Sequence, residues 1–303
     1  MLSALWSAIR RIFGMDASWE MMTLSRIGID PVSARSLTQV LQPSPTIRLR
    51  PEREVQTAPE ADGIEVTWHG ITDVGMARTQ NEDSLLLLDL GNDALFAVAD
   101  GMGGHDAGEV ASGIAIETVR SEVQQGRLRM SDPSAIIERS IRQANAAVKQ
   151  EATLRGSNMG TTLTAVLVAD DTAYIGSVGD SRVYWLENGS LTQITQDHSL
   201  VAKLVAAGKL TKDEARTDPR SNLLYRTIGS EDEVAVDTYR LQLRKGCTLL
   251  LCTDGLWGEV SDAELRRICV EEQHTDILCA RLVQQANGNG GRDNITAIAV
   301  KVI

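Results

Sequence analysis

Residues 95–101 read LFAVADG, five apolar residues followed by an aspartate and a glycine. A similar pattern returns in residues 249–255, LLLCTDG, and in residues 175–180, IGSVGD. Apolar runs of this length, bounded by turn residues, are typical of buried β-strands. Each of these predicted strands is therefore followed by an aspartate. The acids are Asp100, Asp254 and Asp180, and a fourth, Asp293, directly precedes the hydrophobic residues 295–303.

The strands and helices predicted around these runs come in blocks. Apolar residues recur at helical spacing in 107–123 and 133–154, and again in two stretches near residue 270. Between these blocks, strands are joined by short polar turns such as Asn188-Gly189, which is typical of β-hairpins. Hairpins imply antiparallel pairing. Separate blocks of strands and helices predict an α+β fold in which two packed sheets are flanked by helices.

The composition is that of an ordinary globular protein with an acidic surplus. The 303 residues are 43% hydrophobic and 23% charged, and the net charge is −11. This excess of negative charge argues against a surface that binds nucleic acid, and we expect no nucleic-acid partner. No apolar run approaches the roughly 20 residues that cross a membrane, and the four cysteines contain no Cys-x-x-Cys pair. We expect a cytoplasmic protein whose cysteines pack in the core.

Residues 1–62 differ from the rest of the chain and are predicted to form an N-terminal extension with a proline-containing linker. They hold five of the seven prolines, and their seven basic and seven acidic residues leave the whole net charge to residues 63–303. Apolar residues within 2–13 recur at helical spacing and predict an amphipathic helix. Two interpretations stay open: the helix packs on its own domain, or it docks on a partner or on the inner membrane face.

The strand-end aspartates predict a divalent metal centre. Buried carboxylates that converge repel one another unless a cation lies between them. Ligands that are all oxygen suit Mg²⁺ or Mn²⁺, and the chain shows no nearby Cys and His pairs that would favour zinc. Two such ions about 4 Å apart could activate a shared water and align it with a phosphorus atom. Taken singly, each Asp-Gly pair could also be an ordinary turn.

Seven short blocks of the chain carry a resemblance to a known family. They are residues 78–84, RTQNEDS; 100–105, DGMGGH; 159–162, MGTT; 179–182, GDSR; 197–199, DHS; 253–256, TDGL; and 291–296, GRDNIT. In their order and spacing, residues 64–303 resemble the bacterial type of the protein phosphatase 2C family, the metal-dependent (PPM) serine/threonine phosphatases. The resemblance implies a four-layer α-β-β-α sandwich, with two central, mainly antiparallel sheets and a dinuclear metal centre at one edge.

The resemblance also implies which residues bind the metals. Asp100 matches the carboxylate that bridges two ions, and the Gly101 carbonyl matches a further ligand of the first ion. Asp254 and Asp293 match ligands of the second ion. Asp180 matches a residue that helps to hold a third, more weakly bound ion. The expected cofactors are therefore two Mn²⁺ or Mg²⁺ ions per active site, with a third at lower affinity.

Three further residues have an implied part in catalysis. Arg78 matches the phosphate-binding arginine of the family. An arginine suits this role because its guanidinium can donate to two phosphate oxygens at once. Asp83 matches an outer carboxylate that reaches a metal through water. His105 fits the bacterial pattern and is a candidate general acid, as is a metal-bound water. Met102 departs from many eukaryotic relatives, which have histidine at that position.

The predicted activity is hydrolysis of phosphoserine and phosphothreonine in proteins by metal-activated water, opposing a bacterial serine/threonine kinase. The expected partners are phosphorylated proteins, including such a kinase and its substrates. The alternative is a catalytically silent module of the same fold that binds phosphoproteins; such a module would lack one or more metal aspartates, and all are present here. Residues 197–231 resemble the family's flap, which could admit or exclude substrates.

Overall fold

The structure, a computed structural model, describes residues 46–48, 64–103, 107–127 and 132–303. The amphipathic helix predicted at 2–13 lies outside these residues. The strands are β1 Thr46–Arg48, β2 Glu65–Asp73, β3 Asp83–Asp89, β4 Asp93–Met102, β5 Gly160–Thr161, β6 Leu163–Ala169, β7 Thr172–Val178, β8 Arg182–Glu187, β9 Ser190–Gln193, β10 Asp237–Gln242, β11 Thr248–Cys252 and β12 Ile295–Val302. The helices are α1 Ala107–Gly126, α2 Pro133–Arg155, α3 Leu200–Ala206, α4 Lys212–Thr217, α5 Asp254–Trp257, α6 Asp262–Glu271 and α7 Thr275–Gly288.

Two sheets form the centre of the fold. Sheet one has the order β1-β2-β12-β11-β8-β9, and sheet two has the order β10-β7-β6-β4-β3, with β5 paired to the end of β4. All strand pairings among the described residues are antiparallel. The tight hairpin turns after β6 and β8 use Asp170 and Asn188 at φ 52° and 49°, a left-handed conformation that these two residue types tolerate better than most.

Successive side chains of the central strands point to opposite faces, and the buried side chains form three clusters. In β4, Leu95 and Ala97 point to the cluster shared with α1 and α2, whereas Phe96 belongs to the cluster between the two sheets. In β11, Leu251 lies between the sheets and Leu250 packs with α6 and α7. Successive residues of a strand face opposite sides, so strands buried on both faces must be apolar throughout. The result is the four-layer α-β-β-α sandwich that was predicted.

Strand β1 falls inside the predicted N-terminal extension. Its backbone pairs with the start of β2, with Thr46 opposite Thr67 and Arg48 opposite Glu65. This short part of the extension therefore continues sheet one at its edge. Among the described residues, no helix is long and apolar enough to pass through a bilayer.

Candidate metal centre

Antiparallel pairing brings the predicted site aspartates toward one end of the sandwich. Asp83 begins β3 and lies directly opposite Asp100 near the end of β4. Like charges placed directly opposite each other destabilise a sheet, so this pair indicates that a cation belongs nearby. Asp254 follows β11, Asp180 follows β7, and Asp293 shortly precedes β12. These five acids are called the carboxylate edge below.

Asp83 connects the two sheets through threonine hydroxyls. Thr253 and Thr296 donate hydrogen bonds to Asp83 Oδ2 at 2.8 and 2.6 Å, and Thr296 N donates to the Thr253 hydroxyl at 3.0 Å. Asp83 Oδ1 and Asp254 Oδ1, in contrast, are buried and have no hydrogen-bond partner. Buried acceptors without a partner are costly and rare, and a cation or a cation-held water would satisfy both.

Loss of water and mutual repulsion raise the pKa values along the carboxylate edge. Desolvation, and then the charge of Asp293, raise the pKa of Asp254 to about 6. Desolvation also raises the pKa of Asp83, Asp100 and Asp180 well above the usual range for aspartate, and neighbouring acids add to the rise at each. A divalent cation would favour the charged forms instead. This set of oxygen donors therefore fits Mn²⁺ or Mg²⁺.

Arg78 pairs with Asp293 at this edge. One guanidinium nitrogen lies 2.9 Å from Asp293 Oδ2, and the Arg78 side chain is 48% exposed. Within the described ranges, no three acidic, histidine or cysteine side chains are arranged so that they could hold an ion. The aspartates thus share one electrostatic neighbourhood without forming a closed ligand cage. The bond to Arg78 occupies one acceptor site of the Asp293 carboxylate and leaves others for a cation.

Two glycines let the loops of the carboxylate edge approach their neighbours. A Cβ on Gly101 would lie 2.1 Å from the carbonyl oxygen of Gly108, and a Cβ on Gly255 would lie 2.0 Å from that of Asn294. Any side chain at these positions would force the segments apart. The role of the Gly101 carbonyl as a metal ligand stays a prediction. His105 lies outside the described residues.

Behind Asp180 lies a buried ion pair. Arg182 donates to Asp197 through Nε at 3.1 Å and through its terminal nitrogen at 2.7 Å, and to the Tyr184 hydroxyl at 2.6 Å. The Arg182 guanidinium also stacks 3.6 Å from the ring centroid of Trp257, whose Nε1 donates to the Asp180 carbonyl. Desolvation alone would lower the pKa of Arg182, but Tyr184 and Asp197 raise it. This ion pair supports the backbone of Asp180.

His198 connects the same turn to the end of the predicted flap. Its Nδ1 accepts a hydrogen bond from Gly179 N at 3.0 Å, so in the neutral ring the proton is on Nε2, 3.1 Å from Asp237 Oδ2. Arg226 donates to Asp237 Oδ1 at 2.6 Å. Desolvation lowers the pKa of His198. Partial burial would raise the pKa of Asp237, but its bonds to His198 and Arg226 lower it. Together, the flap-base cluster comprises Arg182, Asp197, His198, Arg226 and Asp237.

Sequence reasoning did not identify Thr253, Thr296 or Asn294 as part of the site. Thr253 and Asn294 stand directly beside the predicted ligands Asp254 and Asp293, and Thr296 lies in the same block GRDNIT; this proximity was the available signal. Their partners are distant in the chain: Thr253 and Asp83, for example, are 170 residues apart. Only the folded sheet order shows that the two threonines orient Asp83.

A family model described as protein phosphatase 2C matches residues 77–296. The chain belongs to the protein phosphatase 2C family. The serine/threonine phosphatase stp of Listeria monocytogenes is 36% identical over 235 residues, which cover 76% of this chain and 93% of that relative. Protein phosphatase PhpP of Streptococcus pneumoniae is 35% identical over 241 residues, which cover 77% of this chain and 96% of that relative.

Solved structures of similar proteins agree with this membership of the protein phosphatase 2C family. The catalytic domain of serine threonine protein phosphatase PstP, in complex with two manganese ions, matches with a TM-score of 0.71 and 34% identity, over 79% of this chain and 99% of that one. The predicted family, the α+β sandwich fold and the enzyme class, protein serine/threonine phosphatase, are thereby confirmed. The roles of single residues stay predictions.

Proposed function

We propose that this protein phosphatase 2C member hydrolyses phosphoserine and phosphothreonine in proteins, with two Mn²⁺ or Mg²⁺ ions as cofactors and a third held more weakly. The observation that carries the proposal is the carboxylate edge, where acids with raised pKa values lie together and two buried carboxylate oxygens lack a partner. When bound, such ions lower the pKa of water and align it for in-line attack on phosphorus.

The proposed ligand roles are those that the resemblance to the family implies, and the bonds of Asp83 are compatible with its role. Asp83 is proposed to act on an ion through water: two threonine hydroxyls occupy its Oδ2, and its buried Oδ1 is left to accept from such a water. The residues proposed to hold the ions directly are Asp100, Asp254, Asp293 and the Gly101 carbonyl for the first two, and Asp180 for the third.

Arg78 is proposed to bind the substrate phosphate. Its half-exposed guanidinium already holds a carboxylate oxygen, that of Asp293. A phosphate group would offer the other guanidinium donors two oxygens and more negative charge, so Arg78 could bind phosphate beside Asp293. His105 is kept as a candidate proton donor to the leaving serine oxygen.

The test is phosphate release from a phosphothreonine peptide with Mn²⁺, with Mg²⁺ and with chelator. Wild type is compared with Asp254→Asn and with the control Asp232→Asn, whose side chain is 95% exposed. We expect turnover that needs metal, that survives in Asp232→Asn and that is lost in Asp254→Asn. A folded wild-type protein that binds the peptide but releases no phosphate with either metal would indicate a silent binding module.

Residues 63–303 are proposed to form the catalytic domain, with residues 197–231 as its flap. Leu223 and Tyr225 in this flap are 55% and 42% exposed, and exposed apolar side chains often mark a contact surface. Leu223→Ser should therefore raise KM for a phosphoprotein several-fold and leave p-nitrophenyl phosphate hydrolysis unchanged. Equal effects on both substrates would contradict a substrate-contacting flap.

Residues 1–62 are proposed to be an extension that brings the enzyme to its partners, through docking of residues 2–13 on a membrane surface or on a protein. The proposed partners are a serine/threonine kinase and its phosphorylated substrates. The test is flotation with anionic vesicles and pull-down from lysate, each with the full chain and with residues 1–20 deleted. Identical binding by both chains in both assays would rule out docking through this segment.

A further inference from the structure

Asn294 occupies a central place beside the carboxylate edge. It follows Asp293, directly precedes β12 and is 4% exposed. Its side-chain Nδ2 donates to the carbonyl oxygens of Val74 and Gln80, at 3.0 and 2.8 Å, and its Oδ1 accepts from Glu82 N at 2.8 Å. One buried amide thus binds the backbone of the segment 74–82 at three points.

These three bonds fix the orientation of the Asn294 amide and the path of the segment. The acceptor oxygen must face the Glu82 amide, and the two donors must face carbonyl groups. The backbone of Asn294 is itself fixed, because its N donates to Asp293 Oδ1 at 2.9 Å and its carbonyl lies against Gly255. The segment 74–82 is therefore held against the chain that carries Asp293.

Arg78 lies inside the segment that Asn294 holds. Its side chain is half exposed and its guanidinium contacts Asp293, so the reach of the guanidinium depends on where the segment places its backbone relative to Asp293. The amides of Met76 and Ala77 add a second attachment, to the carbonyl of Gly291 at 2.7 and 3.2 Å. Misplacement of a substrate-binding group by about 1 Å can cost a hundredfold in rate.

We infer that Asn294 is a positioning residue that holds the Arg78 segment in register with the metal-binding aspartates, and so sets the affinity of the site for phosphate. This inference rests on the proposed function. Asn294 itself contacts backbone groups and acts on phosphate through Arg78.

The chain offers a matched control in Asn145 on α2. Asn145 is 1% exposed, its Oδ1 accepts from Gly229 N at 2.8 Å, and its Nδ2 donates to the carbonyl of Glu231 at 3.0 Å. With a longer contact from Nδ2 to the carbonyl of Asp232 at 3.4 Å, Asn145 has a similar bonding pattern and similar burial, but it holds residues 229–232 at the end of the flap. Asn145→Ala should lower stability about as much as Asn294→Ala, because each leaves buried backbone groups without partners.

The experiment measures the binding of inorganic phosphate to the Mn²⁺-loaded full chain by calorimetry, beside hydrolysis of p-nitrophenyl phosphate. We expect Asn294→Ala to weaken phosphate binding about tenfold, and Asn145→Ala to change it by less than about twofold. In an Arg78→Ala background, Asn294→Ala should add less than about twofold, because the two residues act as a unit. If Asn294→Ala does not unfold cooperatively, Asn294→Ser takes its place in the cycle.

The outcomes separate this inference from the proposed function. No hydrolysis by the wild-type protein would overturn the proposed function, and the inference with it. Wild-type hydrolysis combined with an Asn294 effect that persists without Arg78, or that Asn145→Ala reproduces, would overturn the inference alone. Loss of phosphate affinity that requires both Asn294 and Arg78 supports it.

Discussion

The carboxylate edge and the flap-base cluster show two ways in which this protein groups acidic side chains. In the flap-base cluster each aspartate has an arginine, since Arg182 binds Asp197 and Arg226 binds Asp237. At the carboxylate edge, the ion pair among the described residues is that of Arg78 with Asp293, and the other acids repel one another. The charges of the flap-base cluster balance within the protein. The carboxylate edge has more negative than positive charge, and this imbalance indicates bound cations.

The largest expected effect comes from removing a charge at the carboxylate edge. Asp100→Asn should lower kcat by about a thousandfold or more, because in its proposed bridging role Asp100 would support the charge of both ions. The metal-free protein should not lose stability, since the change removes a buried charge that its neighbours repel. Turnover assays and urea unfolding with chelator measure the two quantities. A metal-free variant less stable than wild type by several kcal/mol would contradict the charge imbalance.

The flap-base cluster should respond in the opposite way. Arg182→Met leaves Asp197 buried and without its arginine, and loss of one partner of a buried pair costs about 3–5 kcal/mol. Urea unfolding measures the loss. The control is the double variant Arg182→Met/Asp197→Leu, which should recover much of the stability because no unpaired charge remains. A double variant as unstable as the single one would show that packing on Trp257, rather than charge, is what Arg182 supplies.

The free energy of unfolding should change with pH in opposite directions for the carboxylate edge and for the flap-base cluster. The pKa of Asp254 is about 6 in the folded protein, against 3.8 for an ordinary aspartate. Between these values the folded state binds more protons than the unfolded chain, so the free energy of unfolding of the metal-free protein falls as pH rises. The contribution is at most about 3 kcal/mol. Urea unfolding with chelator from pH 4.5 to 7.5 should show a shallower fall for Asp254→Asn. Parallel curves for the two proteins would contradict the prediction.

The smallest effect is expected at Asp237. Its folded pKa is lowered from 3.8, so its stabilisation is fully present above that value and is lost as pH falls through the lower folded value. The side chain is 33% exposed, and solvent screening limits its contribution to about 1 kcal/mol or less. Asp237→Asn should therefore be slightly less stable than wild type at pH 7, and the difference should shrink toward pH 3. A difference that grows on acidification would mean that folding raises the pKa of Asp237, as it does for Asp83, Asp100, Asp180 and Asp254.

Local patterns were sufficient for the strands and for the aspartates at their ends. The apolar residues at the start of the run 249–255 do form a strand, Thr248–Cys252, because a short apolar run bounded by polar residues is typical of a buried strand. The short helix α5 was not predicted, since Asp254-Gly255 also resembles a turn. Thr253 at its N-cap makes no capping bond from its side chain; its hydroxyl instead accepts from Thr296 N and donates to Asp83.

The contacts that complete the site could not be predicted from the sequence. Arg78 and Asp293 are 215 residues apart, and the Asn294 amide reaches Glu82 across 212 residues. Such contacts depend on which strands become neighbours, and periodicity carries no information about that. Motif blocks predicted that Arg78 and Asp293 belong to one site. Only the fold shows that Asp293 is held by Arg78 and that Asn294 binds the segment around it.

Strand β12 lies between β2 and β11, so the first long strand of sheet one pairs with the last. During synthesis on the ribosome, sheet one therefore stays open until residues 295–302 have emerged. Asp293 and Asn294 emerge just before them, and nascent chains or products truncated ahead of residue 293 lack both. We expect such partial chains to be inactive toward phosphoproteins in the cell, so that catalytic competence begins only after residues 293–302 have been made.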